Sequence, residues 1–317
     1  MASRAEHSGG DFSIGEVIGR TAALFGANPV VMLGLPAIMM IALIALMAVM
    51  VLGFGVALFG LGPSALAQGQ SIEAITGIIA MVGVVVFVAA IIGLVLHGAL
   101  VATGAAALDG ERLSLGTALA RGLNAAPRLF LLVLILIVTL GGGFGLVAVA
   151  TGVGVGVAAT GGNGGAAFGL VAILWIGMIV LGLWLAAVLA GVSGASVVER
   201  RGPFGAISRS AALTRGQRLR IIGLILVMVA LSIGVSIALA LVQALLLGFD
   251  SFGPGANPFV PGAGSAGMVA IAVNTLISLV VQTLLNAYGA ALQGSLFAAL
   301  RQGREGLAED RLSEVFA

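Results

Sequence analysis

Cysteine and lysine are absent from the 317 residues, only one tyrosine and two histidines occur, and just 8% of the side chains are charged. Without cysteine there can be no disulfide, thiolate nucleophile or cysteine metal site. His97, one of the two histidines, has no second His, Cys or carboxylate at ligand spacing, and no metal and no cofactor is expected. All fourteen basic residues are arginine, a compositional bias, and the net charge is only +2 with 5% aromatic residues. That balance gives no basic, aromatic-laced surface for nucleic acid. A soluble domain with so little charge could not cover its surface with polar groups.

Hydrophobic residues make up 60% of the chain, and the mean hydropathy is strongly positive. The bilayer is then the solvent, and the chain reads as an all-α polytopic membrane protein. Since about 20 apolar residues cross the hydrocarbon, six transmembrane helices are predicted, at about 30–60, 75–108, 129–159, 167–198, 221–247 and 268–300. They form one membrane domain, 11–300, after a polar tail at 1–10 and before a cytoplasmic tail at 301–317.

A second pattern organises the spans. DFSIGEVIGRTAALFGANP from Asp11, RLSLGTALARGLNAAPR from Arg112 and ERRGPFGAISRSAALTRGQRLR from Glu199 each read as a short two-faced helix followed by a breaker. Superposing Arg20, Arg121 and Arg209 aligns Ile18, Leu119 and Ile207. The expected architecture is three repeats of an amphipathic surface helix plus two spans. Ser13 and Glu16 are placed for a capping box, and Asn28-Pro29 and Pro127 for the breaks.

Placing the amino terminus, 109–128, 199–220 and the tail after Leu300 on one side gives that side all fourteen arginines. The connections at 61–74, 160–166 and 248–266 hold none, and the positive-inside rule then makes both termini cytoplasmic. Ala65-Leu66-Ala67 looks like a signal-peptidase site, but the preceding apolar run is too long for a leader, so cleavage is not expected.

FSIGEVIGRTAALFGANP, LSLGTALARGL, VVERRGPFGAISRSAALTRGQRLRIIGL and AALRQGREG resemble the glycerophosphoryl diester phosphodiesterase membrane-domain family, over about 12–306. The resemblance implies a six-span helical domain of the bacterial inner membrane. In some relatives a catalytic domain is fused to it; here no His-Arg-Gly signature occurs, so the chain looks like a free-standing member without that activity.

The remaining motifs divide between structure and function. Gly191-Val192-Ser193-Gly194 matches the GxSG of intramembrane serine proteases, but the sixth span offers no histidine base, and close helix packing explains the motif. No catalytic residue is expected. His97, the ionisable residue deep in an apolar run, could tie helices together or couple protons. The glycines of the third span, Gly141 with Gly145 and Gly152 with Gly156, predict a central packing element. Asn274, Ser278, Gln282 and Asn286 form a slowly winding polar stripe on the sixth span, with Thr275, Thr283 and Gln293 nearby. Three pairs of spans also suggest mitochondrial carriers, but the Pro-x-acid motif of their odd spans is missing.

The expected function is non-enzymatic: a basic cytoplasmic face engaging anionic lipid headgroups or a partner. Arg20, Arg121, Arg128, Arg200, Arg201, Arg209, Arg215, Arg218 and Arg220 would carry it. The alternative is a small-solute or lipid transporter using the sixth-span stripe. Neither a protein partner nor a homo-oligomer is readable.

Overall fold

The computed structural model describes residues 13–67, 71–108, 110–159, 164–247 and 265–316. The polar tail at 1–10 and most of the connections at 160–166 and 248–266 lie outside the described residues. Among those described there are nine helices and no strand: α1 Ile14–Ala27, α2 Pro29–Ala67, α3 Ser71–Leu108, α4 Leu115–Ala159, α5 Gly164–Leu189, α6 Val192–Val197, α7 Pro203–Leu213, α8 Arg218–Leu247 and α9 Ser265–Phe316. Six stretches of them are long and apolar enough to cross a membrane. Mid-helix side chains such as Leu146, 75% exposed, and Ile173, 68% exposed, would be unreasonable in water and are ordinary against lipid.

Local chemistry sets most helix boundaries. Pro29 opens α2, where its missing N–H is no loss. Asn28, in the gap after α1, donates from Nδ2 to the Leu113 carbonyl at 2.9 Å and ties two junctions together. Gly110 (φ +74°) and Gly216 (φ +90°) turn the chain ahead of α4 and α8 in the left-handed region that glycine tolerates. The Ser13 side chain makes no cap bond, contrary to the capping box; Glu16 instead pairs with Arg20 one turn on.

Three other expectations are corrected. Pro127 does not end a surface helix. α4 runs through it as one 45-residue helix, so the second amphipathic segment is not separate from the third span. Arg128 Nη2 donates to the Asn124 carbonyl at 3.0 Å, one turn back, beside the place where proline interrupts the backbone ladder. At roughly 1.5 Å per residue this helix is roughly 68 Å long, about twice the hydrocarbon thickness, so a segment of it stands clear of the bilayer.

The fourth span is not continuous either. It breaks at Ala190-Gly191, and the six residues of α6 that follow are all buried. Ser210 of α7 repairs the break: its Oγ donates to the Val188 carbonyl (2.7 Å) and accepts the Gly191 N–H (3.0 Å). Ser210→Ala would orphan a buried donor and a buried acceptor, each worth about 1–3 kcal/mol. The variant is expected to lose about 3 kcal/mol of stability, read as a lower unfolding midpoint of the purified protein; an unchanged midpoint would show that the break needs no repair.

The packing centre is α3, not the glycine-rich third span. Around Gly141, Gly142, Gly145, Gly152 and Gly156 a Cβ would meet nothing within 4 Å. At Gly104 it would lie 2.1 Å from the Ala291 carbonyl oxygen, at Gly294 2.1 Å from that of Val101, and at Gly122 2.1 Å from that of Val95. Backbone therefore touches backbone where α3 crosses α9 and α4, which only glycine allows. Phe297, fully buried, sits against Gly194 of α6 and closes this core.

α1 lies on α9 rather than free on a surface. Val17 and Thr21 are buried, the Tyr288 hydroxyl donates to the Ile18 carbonyl at 3.1 Å, and Phe25 stacks on the Tyr288 ring.

Candidate functional site

α6 buries two serines, and neighbouring helices answer one of them: Ser196 Oγ has no partner among the described residues. Ser193 Oγ donates to Gln293 Oε1 of α9 at 2.8 Å, and a side-chain hydrogen bond joins Gln293 to His97 of α3. One chain of bonds thus links α6, α9 and α3. Gln293 thus answers both Ser193 and His97. Ser193 is bonded to an amide, which takes no proton.

Two cavities flank α9 at this point, and both are lined by Gln293 and Gly289. The one between α2, α3 and α9, about 290 Å³, carries His97, Thr283 and Asn286 among apolar walls. The other, about 530 Å³ between α5, α8 and α9, is apolar apart from Gln293, Ser232 and Ser236. Both serine hydroxyls there are spent on their own helix, on the Met228 and Ser232 carbonyls.

Of the predicted sixth-span stripe, only Asn286 reaches a cavity described here. Gln282 is exposed on the helix, and Asn274 Oδ1 is buried without a partner. Ser278 makes an interaction of its own. Each step of four residues rotates the stripe by about 40°, so Ser278 and Asn274 turn away from the face that carries Asn286. The sequence already contained His97, Ser193 and Gln293. What it lacked was their junction, since α3, α6 and α9 are far apart along the chain.

The arginines also separate by environment. Arg20 pairs with Glu16, Arg121 with Glu111 at 3.0 Å, and Arg209 with Glu199 at 2.9 Å. The Glu199 side chain is 14% exposed and also holds Arg201 at 2.6 Å. Arg128 Nη1 donates to the Ser196 carbonyl at 3.3 Å and fastens α4 to α6. Arg218 lies over the Trp184 ring, 5.1 Å from its centroid. Arg304 donates to the Arg215 carbonyl. Arg200, Arg215 and Arg220 are exposed. Arg200 adopts φ 54°, where α6 ends and the Arg201 N–H closes onto the Ala195 carbonyl at 3.2 Å.

The fold and these sites define an all-helical protein with six apolar candidate spans, a glycine-sealed core and an arginine-bearing rim. Residues 12–300 match the family described as a domain of unknown function (DUF7847), and the chain belongs to it. No curated protein and no solved structure matches the chain.

Proposed function

We propose that this is a non-enzymatic protein of the bacterial inner membrane, with both termini cytoplasmic, whose basic face engages anionic lipid headgroups or a partner there. The observation that carries the reading is the pairing of exposed arginines with exposed apolar side chains at the span ends. Phe204, 75% exposed, follows Arg200 and Arg201, and Leu219, 84% exposed, stands between Arg218 and Arg220. Such pairs suit the boundary between headgroups and acyl chains, where the apolar group sinks and the guanidinium meets phosphate. The amide partner of Ser193 supports the non-enzymatic part.

The lipid-facing set narrows to Arg200 and Arg215, because Arg20, Arg121, Arg128 and Arg209 hold groups of the chain itself. At about 1 kcal/mol per arginine near an anionic surface, replacing both with Gln should weaken binding to phosphatidylglycerol vesicles on the order of 30-fold. The unfolding midpoint should stay put. Unchanged vesicle binding would count against this function.

We also propose the three-fold repeat. Three residues before Arg20, Arg121 and Arg209 stand Val17, Ala118 and Ala206, and one residue after stand Thr21, Gly122 and Ser210. All six are buried. Arg121 and Arg209 each reach an acid ten residues back. The kinship with the glycerophosphoryl diester phosphodiesterase membrane-domain family stands as part of the same proposal.

The transporter reading keeps one supporting observation: Asn286 and Gln293 line a cavity within the sixth span. Solute flux in proteoliposomes would favour it.

A further inference from the structure

We propose that the cavity between α2, α3 and α9 is a binding site for an uncharged molecule with a hydroxyl or carbonyl group on an apolar body. The first sign is Asn286. Asn286 is exposed on α9, its side chain lines the cavity, and no hydrogen bond to a described residue engages its amide. A primary amide at membrane depth without a partner is costly, and a bound polar group would satisfy it.

The second sign is which hydrogen-bonding capacity is left over. The Gln293 oxygen already accepts from Ser193, and a side-chain hydrogen bond ties Gln293 to His97. The Thr283 hydroxyl proton goes to the Leu279 carbonyl at 2.6 Å, leaving Thr283 only as an acceptor. Asn286 therefore keeps two donors and an acceptor, and His97 keeps its second ring nitrogen. A hydroxyl can answer both kinds of group and a carbonyl can answer the donors.

Charge and size narrow the class. No Asp, Glu or Arg lines the cavity, so an ion would shed its hydration with no opposite charge to receive it. Leu35, Pro36, Met39, Leu96 and Leu100 supply apolar walls for the body of the molecule. The volume of about 290 Å³ equals the liquid share of about ten waters. It takes a small free amphiphile or the polar end of a neutral lipid, but not a whole lipid. The site is independent of the arginine face.

The test uses the full chain purified in detergent and follows its thermal unfolding with three probes: 1,2-hexanediol, dioctanoylglycerol and dioctanoyl phosphatidic acid. A ligand that binds only the folded state raises the midpoint as its concentration grows. At least one neutral probe should do so, and phosphatidic acid should not do so through this site. A shift with dioctanoylglycerol alone assigns the site to a lipid headgroup; a shift with hexanediol assigns it to a free solute.

Asn286→Leu should unfold within about 2 °C of the parent when no probe is present, since no protein bond is lost. Its response to the neutral probe should weaken at least tenfold in concentration. Gln282→Leu, on the same helix but away from the cavity, should respond like the parent. The proposal is overturned if no neutral probe shifts the midpoint, which would leave water as the occupant. It is equally overturned if Asn286→Leu responds like the parent, if Asn286→Leu is itself markedly destabilised, or if phosphatidic acid acts through Asn286 as strongly as the neutral probes.

Discussion

Gly294→Leu is expected to destroy the bundle, while Gly145→Leu, in the span with the more conspicuous glycines, is expected to leave it intact. At Gly294 even the first side-chain carbon would fall 2.1 Å from the Val101 carbonyl oxygen and 2.9 Å from the Ala105 nitrogen. Both are backbone atoms of α3, which cannot swing aside as a side chain can. Relief requires the two helices to separate, and separation opens the interface that also holds Gly104 against Ala291 and Phe297 against Gly194. Overpacking usually costs about 1–3 kcal/mol where side chains can adjust; with backbone on both sides the loss should exceed about 3 kcal/mol. At Gly145 a Cβ meets nothing within 4 Å, and leucine is the better helix former by up to about 1 kcal/mol. Denaturant unfolding of the two variants in one detergent measures the difference. Equal losses, or a larger loss at Gly145, would move the packing centre back to the third span.

The contrast also shows where sequence reasoning stopped. Hydropathy alone placed the six spans, because hydrocarbon thickness sets their length and no partner has to be known. Glycine spacing pointed to the third span because Gly141 with Gly145 and Gly152 with Gly156 are dense there. The glycines that are used, Gly104, Gly122 and Gly294, are sparse, and each depends on a different helix lying opposite. A close approach belongs to a pair of helices, and one helix's sequence holds only half of it.

Pro127 was misread for a related reason. Proline weakens a helix locally, but packing on both sides of it, at Gly122, Ala125 and Leu129, holds α4 straight through. The break at Gly191 went unseen because the residue that repairs it, Ser210, belongs to the next amphipathic segment. At the candidate site, His97 and the Ser193 motif were visible singly, and Gln293 was one polar residue among several. Only the crossing of α3, α6 and α9 made them a chain of hydrogen bonds. The arginine pattern was legible as a whole, whereas its ion pairs needed the positions of Glu16, Glu111 and Glu199.

The proposal as a whole depends on all the arginine-bearing segments lying on one side of the membrane. Contacts across the bundle are consistent with this: Asn28 reaches Leu113, Arg128 reaches Ser196, and Arg304 reaches Arg215. Each joins segments assigned to the same side. The absence of cysteine makes the test direct, since any thiol introduced is the only one present. Gly116 and Ser208 are exposed near span ends on the arginine side, and a Cβ at Gly116 meets nothing within 4 Å. Asn163 and Ser251 fall in connections assigned to the opposite side. Single cysteines at these four positions, treated in intact cells with a membrane-impermeant maleimide and again after permeabilisation, give the most direct measurement. The account predicts that Asn163→Cys and Ser251→Cys label fully in intact cells, and that Gly116→Cys and Ser208→Cys label only after permeabilisation. Labelling of Gly116→Cys or Ser208→Cys in intact cells would place arginines outside and contradict the six-span, basic-face-inward arrangement.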